Sequence, residues 1–279
     1  MSYKTILLHV NHSSHLAQHV KIANELALAD HSHLIGAAMT GVSRYLYESP
    51  SVDISGPYVA SQLEFSSQKA SEALDQFEAE LRKYEPISFE RRLVEDEPAG
   101  GLALQARYCD LVVMGQTDPE EPFSGGIPDL SVYVMLNSAR PVLIIPHSGQ
   151  FTHIHDRVLV AWDASPSSTR ALANAMPFLK RAGKVDVAVF NPAAQPGVHG
   201  SQAGADIALY LTRHNIDVNV VSRKTSAATG DALLALADEL DSTALVMGGY
   251  GHTRFRETLL GGVTRTVLDA MNLPVLMSH

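Results

Sequence analysis

Two periodicities alternate along this chain. Thr5 to Val10 is an unbroken apolar run, the pattern of a strand covered on both faces. Ser13 or Ser14 can then cap a helix that carries Leu16, Val20, Ala23 and Ala27 at helical spacing. Leu34 to Met39 predicts a second strand, and residues 41–60, rich in Ser, Gly, Pro and Tyr, predict an inserted loop. A long helix is expected from Gln62 to Tyr84, with Leu63, Ala70, Leu74, Phe77 and Leu81 on one face. A strand from Ile87 to Val94, a helix from Ala99 to Tyr108 and a strand from Leu111 to Met114 follow. A helix from Ser131 to Ala139 and a strand from Pro141 to Ile145 complete this half. The second half repeats the order. Its strands are expected near 157–162, 185–190, 216–222, 243–248 and 274–278, and its helices near 166–182, 201–214, 230–240 and 262–271. Pro146 to Asp156 reads as the linker.

The repetition extends to the residues. Ile6-Leu7-Leu8-His9-Val10-Asn11 returns as Val158-Leu159-Val160-Ala161-Trp162-Asp163, an offset of 152. Leu111-Val112-Val113-Met114-Gly115 returns as Ala244-Leu245-Val246-Met247-Gly248, and Pro141-Val142-Leu143-Ile144 as Pro274-Val275-Leu276-Met277, both offset by 133. A repeat this long is a duplicated domain, not a solenoid period. The expected domains are 1–148 and 154–279, each long enough for its own core. Strands alternating with helices imply parallel sheets with right-handed crossovers. The fold class is therefore α/β, two tandem open doubly wound sheets, with ligands expected beyond the carboxyl ends of the strands where the strand order reverses. The apolar Pro141–Ile145 and Pro274–Met277 would be exposed sheet edges if left alone, which points to an internal pseudo-dimer of the two halves, with a homodimer as a further option.

Composition narrows the class. An apolar fraction of 46% and a charged fraction of 18% fit a globular chain, and no run of 18 apolar residues predicts a membrane span. No secretory leader pattern opens the sequence. Cys109 is the single cysteine, which excludes an intrachain disulfide and suits a reducing cytoplasm; it reads as a small buried residue, not a reactive thiol. Residues 1–150 hold 10 Lys and Arg against 19 Asp and Glu, whereas residues 151–279 hold 11 of each. The acidic balance argues against a nucleic-acid partner, and the neutral second half is the better host for a small anion.

The second half carries the candidate chemistry. Gly248-Gly249-Tyr250-Gly251 follows a strand, and Gly261-Gly262-Val263-Thr264 opens a helix. Glycines permit close backbone approach, a helix N-terminus presents free N–H groups to phosphate, and Thr264 adds a hydroxyl. His252, Arg254, Arg256 and Arg265 add cationic character. The plain alternative is a glycine turn and an ordinary helix start. Asp163 follows the first strand of this half; it can accept hydrogen bonds from a ribose, or simply form an Asx turn before Pro166. Thirteen histidines are present. His12, His15 and His19 lie along the first helix, and His15 with His19 has the i, i+4 spacing of a weak two-His metal candidate. No carboxylate at matching spacing completes it, so a solvated face is the expected role. No G-x-S-x-G elbow, H-E-x-x-H or G-x4-G-K-[ST] loop occurs, and no catalytic residue is assigned.

Taken together, the strand ending in Asp163, the Val-Met-Gly strand end, G-x2-G-x9-G and the terminal Pro-Val-Leu strand resemble the universal stress proteins. The resemblance covers both halves, as in a tandem member of that family. It implies a strand order of 3-2-1-4-5 in each half and an adenine nucleotide, ATP with or without Mg, held between the Asp loop and the glycine loop. That carries onto Asp163, Gly248, Gly251 and Gly261, within a wider nucleotide set of Ala161, His252, Gly262, Val263 and Thr264. Gly262 stands where the family pattern has Ser or Thr, so one phosphate hydroxyl is missing, and Thr264 is the nearest replacement. In the first half Asn11 replaces Asp, Gly115-Gln116-Thr117-Asp118 lacks the second glycine, and Asp118, Glu120 and Glu121 bring negative charge. That half is expected not to bind nucleotide. The resulting expectation is a cytoplasmic stress-response regulator that binds ATP in its second domain with little or no catalysis. The alternatives are a scaffold that binds an unidentified protein partner, and a slow ATPase or adenylate-processing enzyme.

Overall fold

A computed structural model of the chain describes residues 2–43, 57–118, 130–194, 202–250 and 262–279. The chain divides into two compact units, Ser2–Val142 and Leu143–His279. The first half contains β1 (Thr5–His9), α1 (Leu16–Asp30), β2 (His33–Met39), α2 (Pro57–Leu81), β3 (Ser88–Val94), α3 (Pro98–Ala106), β4 (Leu111–Gly115), α4 (Leu130–Ser138) and β5 (Val142–Ile145). The strand order is β3-β2-β1-β4-β5. β1 runs parallel to β2, with Leu7 opposite Ile35, and parallel to β4, with Leu7 opposite Val112. The apolar runs thus become central strands, and Ile6, Leu7, Leu8, Leu111, Val112 and Val113 have no exposed surface. Each such side chain contributes about 1.5–3 kcal/mol by leaving water.

The second half repeats the plan with β6 (Arg157–Ala161), α5 (Pro166–Asn174), α6 (Met176–Leu179), β7 (Lys184–Phe190), α7 (Ala205–Arg213), β8 (Val218–Arg223), α8 (Thr229–Glu239), β9 (Ala244–Gly248), α9 (Gly262–Ala270) and β10 (Val275–Ser278). Its order, β10-β9-β6-β7-β8, is again 3-2-1-4-5 read from the far edge. β6 lies between β7 and β9, parallel to both. The strand order, not the strand direction, reverses between β6 and β9, which sets the ligand crevice of a doubly wound sheet at their carboxyl ends. At the opposite end Asp186, wholly buried, accepts hydrogen bonds from Arg157 Nε at 2.6 Å and Asn219 Nδ2 at 2.8 Å, tying three strands together.

Three local differences from the sequence reading have simple causes. The helix expected over 166–182 is two helices, α5 and α6, because Pro177 lacks the N–H that would continue the ladder. α1 starts one turn position later than a Ser13 or Ser14 cap implies. His15 is its N-cap without a side-chain bond, and Ser13 Oγ instead accepts the His15 N–H at 3.2 Å. α2 begins at Pro57, inside the stretch read as loop, and most of that loop lies outside the described residues. Cys109 is buried, and desolvation pushes its thiol up to about 11, so it is an inert packing residue as expected. Among the described residues no helix is long and apolar enough to cross a membrane.

Candidate functional site

The crevice of the second half is built on the first turn of α5. Ser165 caps that helix: its Oγ accepts the Ser168 N–H at 3.2 Å and lies 3.0 Å from Ser167 Oγ. Asp163, just beyond β6, accepts the Ser165 N–H on Oδ1 at 2.9 Å. This is the Asx-turn geometry of the plainer alternative, and it fixes the carboxylate at the mouth of the crevice. Burial works against its charged form, but hydrogen bonds from the Ser165 side chain and backbone and from Ser168 outweigh that and hold its pKa below the ordinary value.

Gly248 ends β9 against the same turn. A Cβ there would stand 2.5 Å from the Ser168 nitrogen and 2.6 Å from the Ser167 carbonyl carbon. The glycine is therefore required by strand–helix contact, a role that the sequence pattern could not separate from ligand approach. Asp163 and Gly248, 85 positions apart in sequence, are thus brought to one helix start. Ala161, the last residue of β6, is half-buried two positions before Asp163. Ala164 (φ 59°) and Tyr250 (φ 50°) border the crevice in the left-handed region, which costs a side-chain-bearing residue about 1–2 kcal/mol each.

The second arm is α9. Thr264, in its first turn, is buried and its Oγ1 accepts the Tyr250 N–H at 3.2 Å. It fastens the glycine-rich strand end to the helix, and its hydroxyl proton is still available for an acceptor. Gly262 and Val263 are exposed at the helix start. A Cβ on Gly262 would meet nothing within 4 Å, and its backbone is not in the left-handed region. Arg265 is engaged on the helix surface with Asp269 at 2.7 Å. Gly251, His252, Arg254, Arg256 and Gly261 lie outside the described residues.

Beside this crevice lies a mainly apolar cavity of about 320 Å³ between α5 and α7, lined by Trp162, Leu172, Ile207 and Tyr210, with Thr169 and Asp206 as its polar members. The sequence reading did not include these residues. The one signal was Trp162, the only tryptophan, next to Asp163.

The corresponding place in the first half is differently furnished. His9 ends β1 and is buried, and desolvation pulls its pKa down to about 4. His19, expected on a solvated face, is instead 3% exposed. It lies against the end of β4, where a Cβ on Gly115 would stand 2.5 Å from its Cε1. Burial is the main cause of its pKa of about 3, with His15 and His9 adding to it. Glu120 and Glu121 lie outside the described residues, whereas Asp118 approaches His15 Nε2 at 3.4 Å.

The universal stress protein family model matches residues 155–279. Across its whole length the chain shares its fold with a universal stress protein from Archaeoglobus fulgidus, at 19% identity and a TM-score of 0.68, covering 98% of this chain and 95% of that one. A protein of unknown function from Pseudomonas aeruginosa aligns over 99% of this chain and 92% of its own, at 16% identity and a TM-score of 0.60. A shorter universal stress protein solved in complex with cAMP covers 53% of this chain and 100% of its own, at 18% identity and a TM-score of 0.38. No curated protein matches the sequence.

Proposed function

Residues 155–279 being a universal stress protein domain in a chain with the tandem-length fold of that group, we propose that the second half, as a domain spanning 154–279, binds an adenine nucleotide as a regulatory ligand. The carrying observation is the convergence at the β6–β9 reversal: the Asp163 carboxylate, the Cβ-free Gly248 and the Thr264 hydroxyl all stand around one crevice between two helix starts. A ribose hydroxyl would donate to Asp163, and the N-terminus of α9 would face phosphate. ATP, with or without Mg, is the ligand this arrangement favours. Turnover would be slow or absent. Asp163, with its pKa held low by Ser165 and Ser168, is a poor general base.

Mass spectrometry of small molecules released from protein purified under native conditions, followed by ATP and GTP titration, tests this reading. Recovery of an adenine nucleotide, or selective ATP binding, is expected. No released nucleotide together with no heat or shift on titration removes it. The second reading, a scaffold for a protein partner, is favoured by the adjacent Leu209 and Tyr210 of α7, which are 50% and 39% exposed.

A further inference from the structure

The cavity between α5 and α7 is built from other residues than the crevice. Asp163, Gly248 and Thr264 are not among those that line it. Trp162 and Asp163 are neighbours in the chain, but only the first lines the cavity; the Asp163 carboxylate turns to the Ser165 N–H at the start of α5. α5 contributes Thr169, Leu172 and Ala173, which share one helix face at i, i+3 and i+4. α7 contributes Asp206, Ile207 and Tyr210, again one face. Two features hold the gap open. Ala173 projects only a methyl group. Gly204, at φ 83° and so placed that a Cβ would stand 2.6 Å from Val220 Cγ1, seats the start of α7 on β8. The resulting volume, about 320 Å³, is at the lower end of small-molecule sites.

We propose that this cavity binds a small organic cation, an alkyl- or arylammonium ion, as a ligand distinct from the nucleotide. Its apolar part would lie among Leu172, Ala173 and Ile207, and its charge near Asp206 and the rings of Trp162 and Tyr210. Aromatic faces attract ammonium groups through the ring quadrupole, and a carboxylate beside them adds direct attraction. Among the described residues no hydrogen bond or ion pair engages the Asp206 carboxylate, so its charge is unspent at the cavity wall. The Tyr210 ring is braced along α7 by an edge contact with His214, ring centres 4.8 Å apart, which presents it as a fixed surface. The same carboxylate opposes an anion, so the phosphates of a nucleotide are disfavoured here, and adenine brings no positive charge to it.

Trp162 is the only tryptophan, so the intrinsic fluorescence of the full chain reports from the cavity wall. The test titrates protein freed of nucleotide with phenethylamine, 2-phenylethanol and 3-phenylpropionate. These probes are similar in size and are cationic, neutral and anionic at neutral pH; each titration is repeated by calorimetry. Saturable binding of the amine is expected, about fivefold tighter than the alcohol, the scale of one exposed ion pair, with no binding of the carboxylate. Asp206→Asn should remove that preference. Ala173→Leu, at an exposed position, should abolish amine binding with the circular dichroism spectrum retained. Leu209→Ala, on α7 but off the cavity, should leave it unchanged. Failure of the amine to bind by either measurement overturns the site. So does equal affinity for amine and alcohol, a preference that Asp206→Asn leaves intact, or undiminished binding in Ala173→Leu. Competitive displacement of the amine by adenosine also overturns it, since the cavity would then belong to the nucleotide site. The amine titrations need no nucleotide, so their outcome is separate from that of the nucleotide reading.

Discussion

At the scale of single residues, the candidate nucleotide site combines one proposed contact, at Asp163, with one departure from the family pattern, at Gly262. Asp163 already accepts the Ser165 N–H, so its remaining capacity is what a ribose would use. Asp163→Ala is expected to weaken ATP binding by about 1–3 kcal/mol, the scale of one hydrogen bond to a charged group. Gly262→Ser should act in the opposite direction. A Cβ there meets open space and no left-handed backbone opposes it, so the added hydroxyl reaches the start of α9 without strain. A tightening of about 1–2 kcal/mol is expected in calorimetric titration. If Gly262→Ser binds ATP no better than the parent while folding normally, the phosphate does not sit at α9. His155 illustrates a different residue-level effect. Its Nε2 is enclosed without a partner and its ring centre lies 4.2 Å from that of Phe178. Burial lowers its pKa from 6.5 to about 4, against a smaller upward pull from Asp156. Above about pH 6.5 the ring is neutral whether the chain is folded or unfolded. Below that the unfolded chain takes up the proton and the folded one does not, so stability falls by about 1.4 kcal/mol per pH unit down to about pH 4. Urea denaturation from pH 7.5 to 4.5 should therefore give His155→Phe a shallower loss than the parent; parallel curves would show that His155 is not buried neutral.

Between elements, the decisive contact is the end of β9 on the first turn of α5. Gly248→Ala would drive a methyl group into the Ser167–Ser168 backbone, which cannot swing away as a side chain can. Overpacking of this kind costs about 1–3 kcal/mol, and the displaced helix start would carry Ser165, and with it Asp163, out of position. Loss of stability together with loss of ATP binding is expected, measured by urea denaturation and titration of the same sample. A variant as stable as the parent would show that the two elements are not in contact. The strand and helix sequence was legible because apolar runs and helical spacing follow directly from burial on two faces or one: the central runs at Ile6–Leu8 and Leu159–Val160 are enclosed as expected. Legibility failed where a single residue decides a boundary. Pro177 split a helix whose apolar pattern continued through it, and His15 took an N-cap position without making the side-chain bond that marks a cap in sequence.

For the whole molecule, the two copies of one fold differ in what fills the same place. Offset by 152, His9 corresponds to Ala161 and His19 to Ala171. Two small side chains in the second half are thus two buried imidazoles in the first, one of them pressed against Gly115 at the strand end that corresponds to Gly248. The sequence made the changes at Asn11 and Asp118 visible, since they sit at aligned motif positions. It did not reveal that His19 turns inward, because helical spacing places a residue on a face without saying what covers that face. With nucleotide binding as proposed for the second half, one nucleotide per chain is the expected consequence. In the first half the imidazoles occupy volume at the end of β1, and the Asp118 carboxylate, 3.4 Å from His15, opposes a phosphate. In the second half the crevice keeps Asp163, Gly248 and a glycine at the start of α9. Calorimetry with ATP should find a stoichiometry of about one, and Asp163→Ala should weaken that single isotherm as a whole. Two equivalent sites, or an Asp163→Ala isotherm retaining one undiminished site, would assign nucleotide binding to the first half as well and overturn the reading of His9, His19 and Asp118 as incompatible with it.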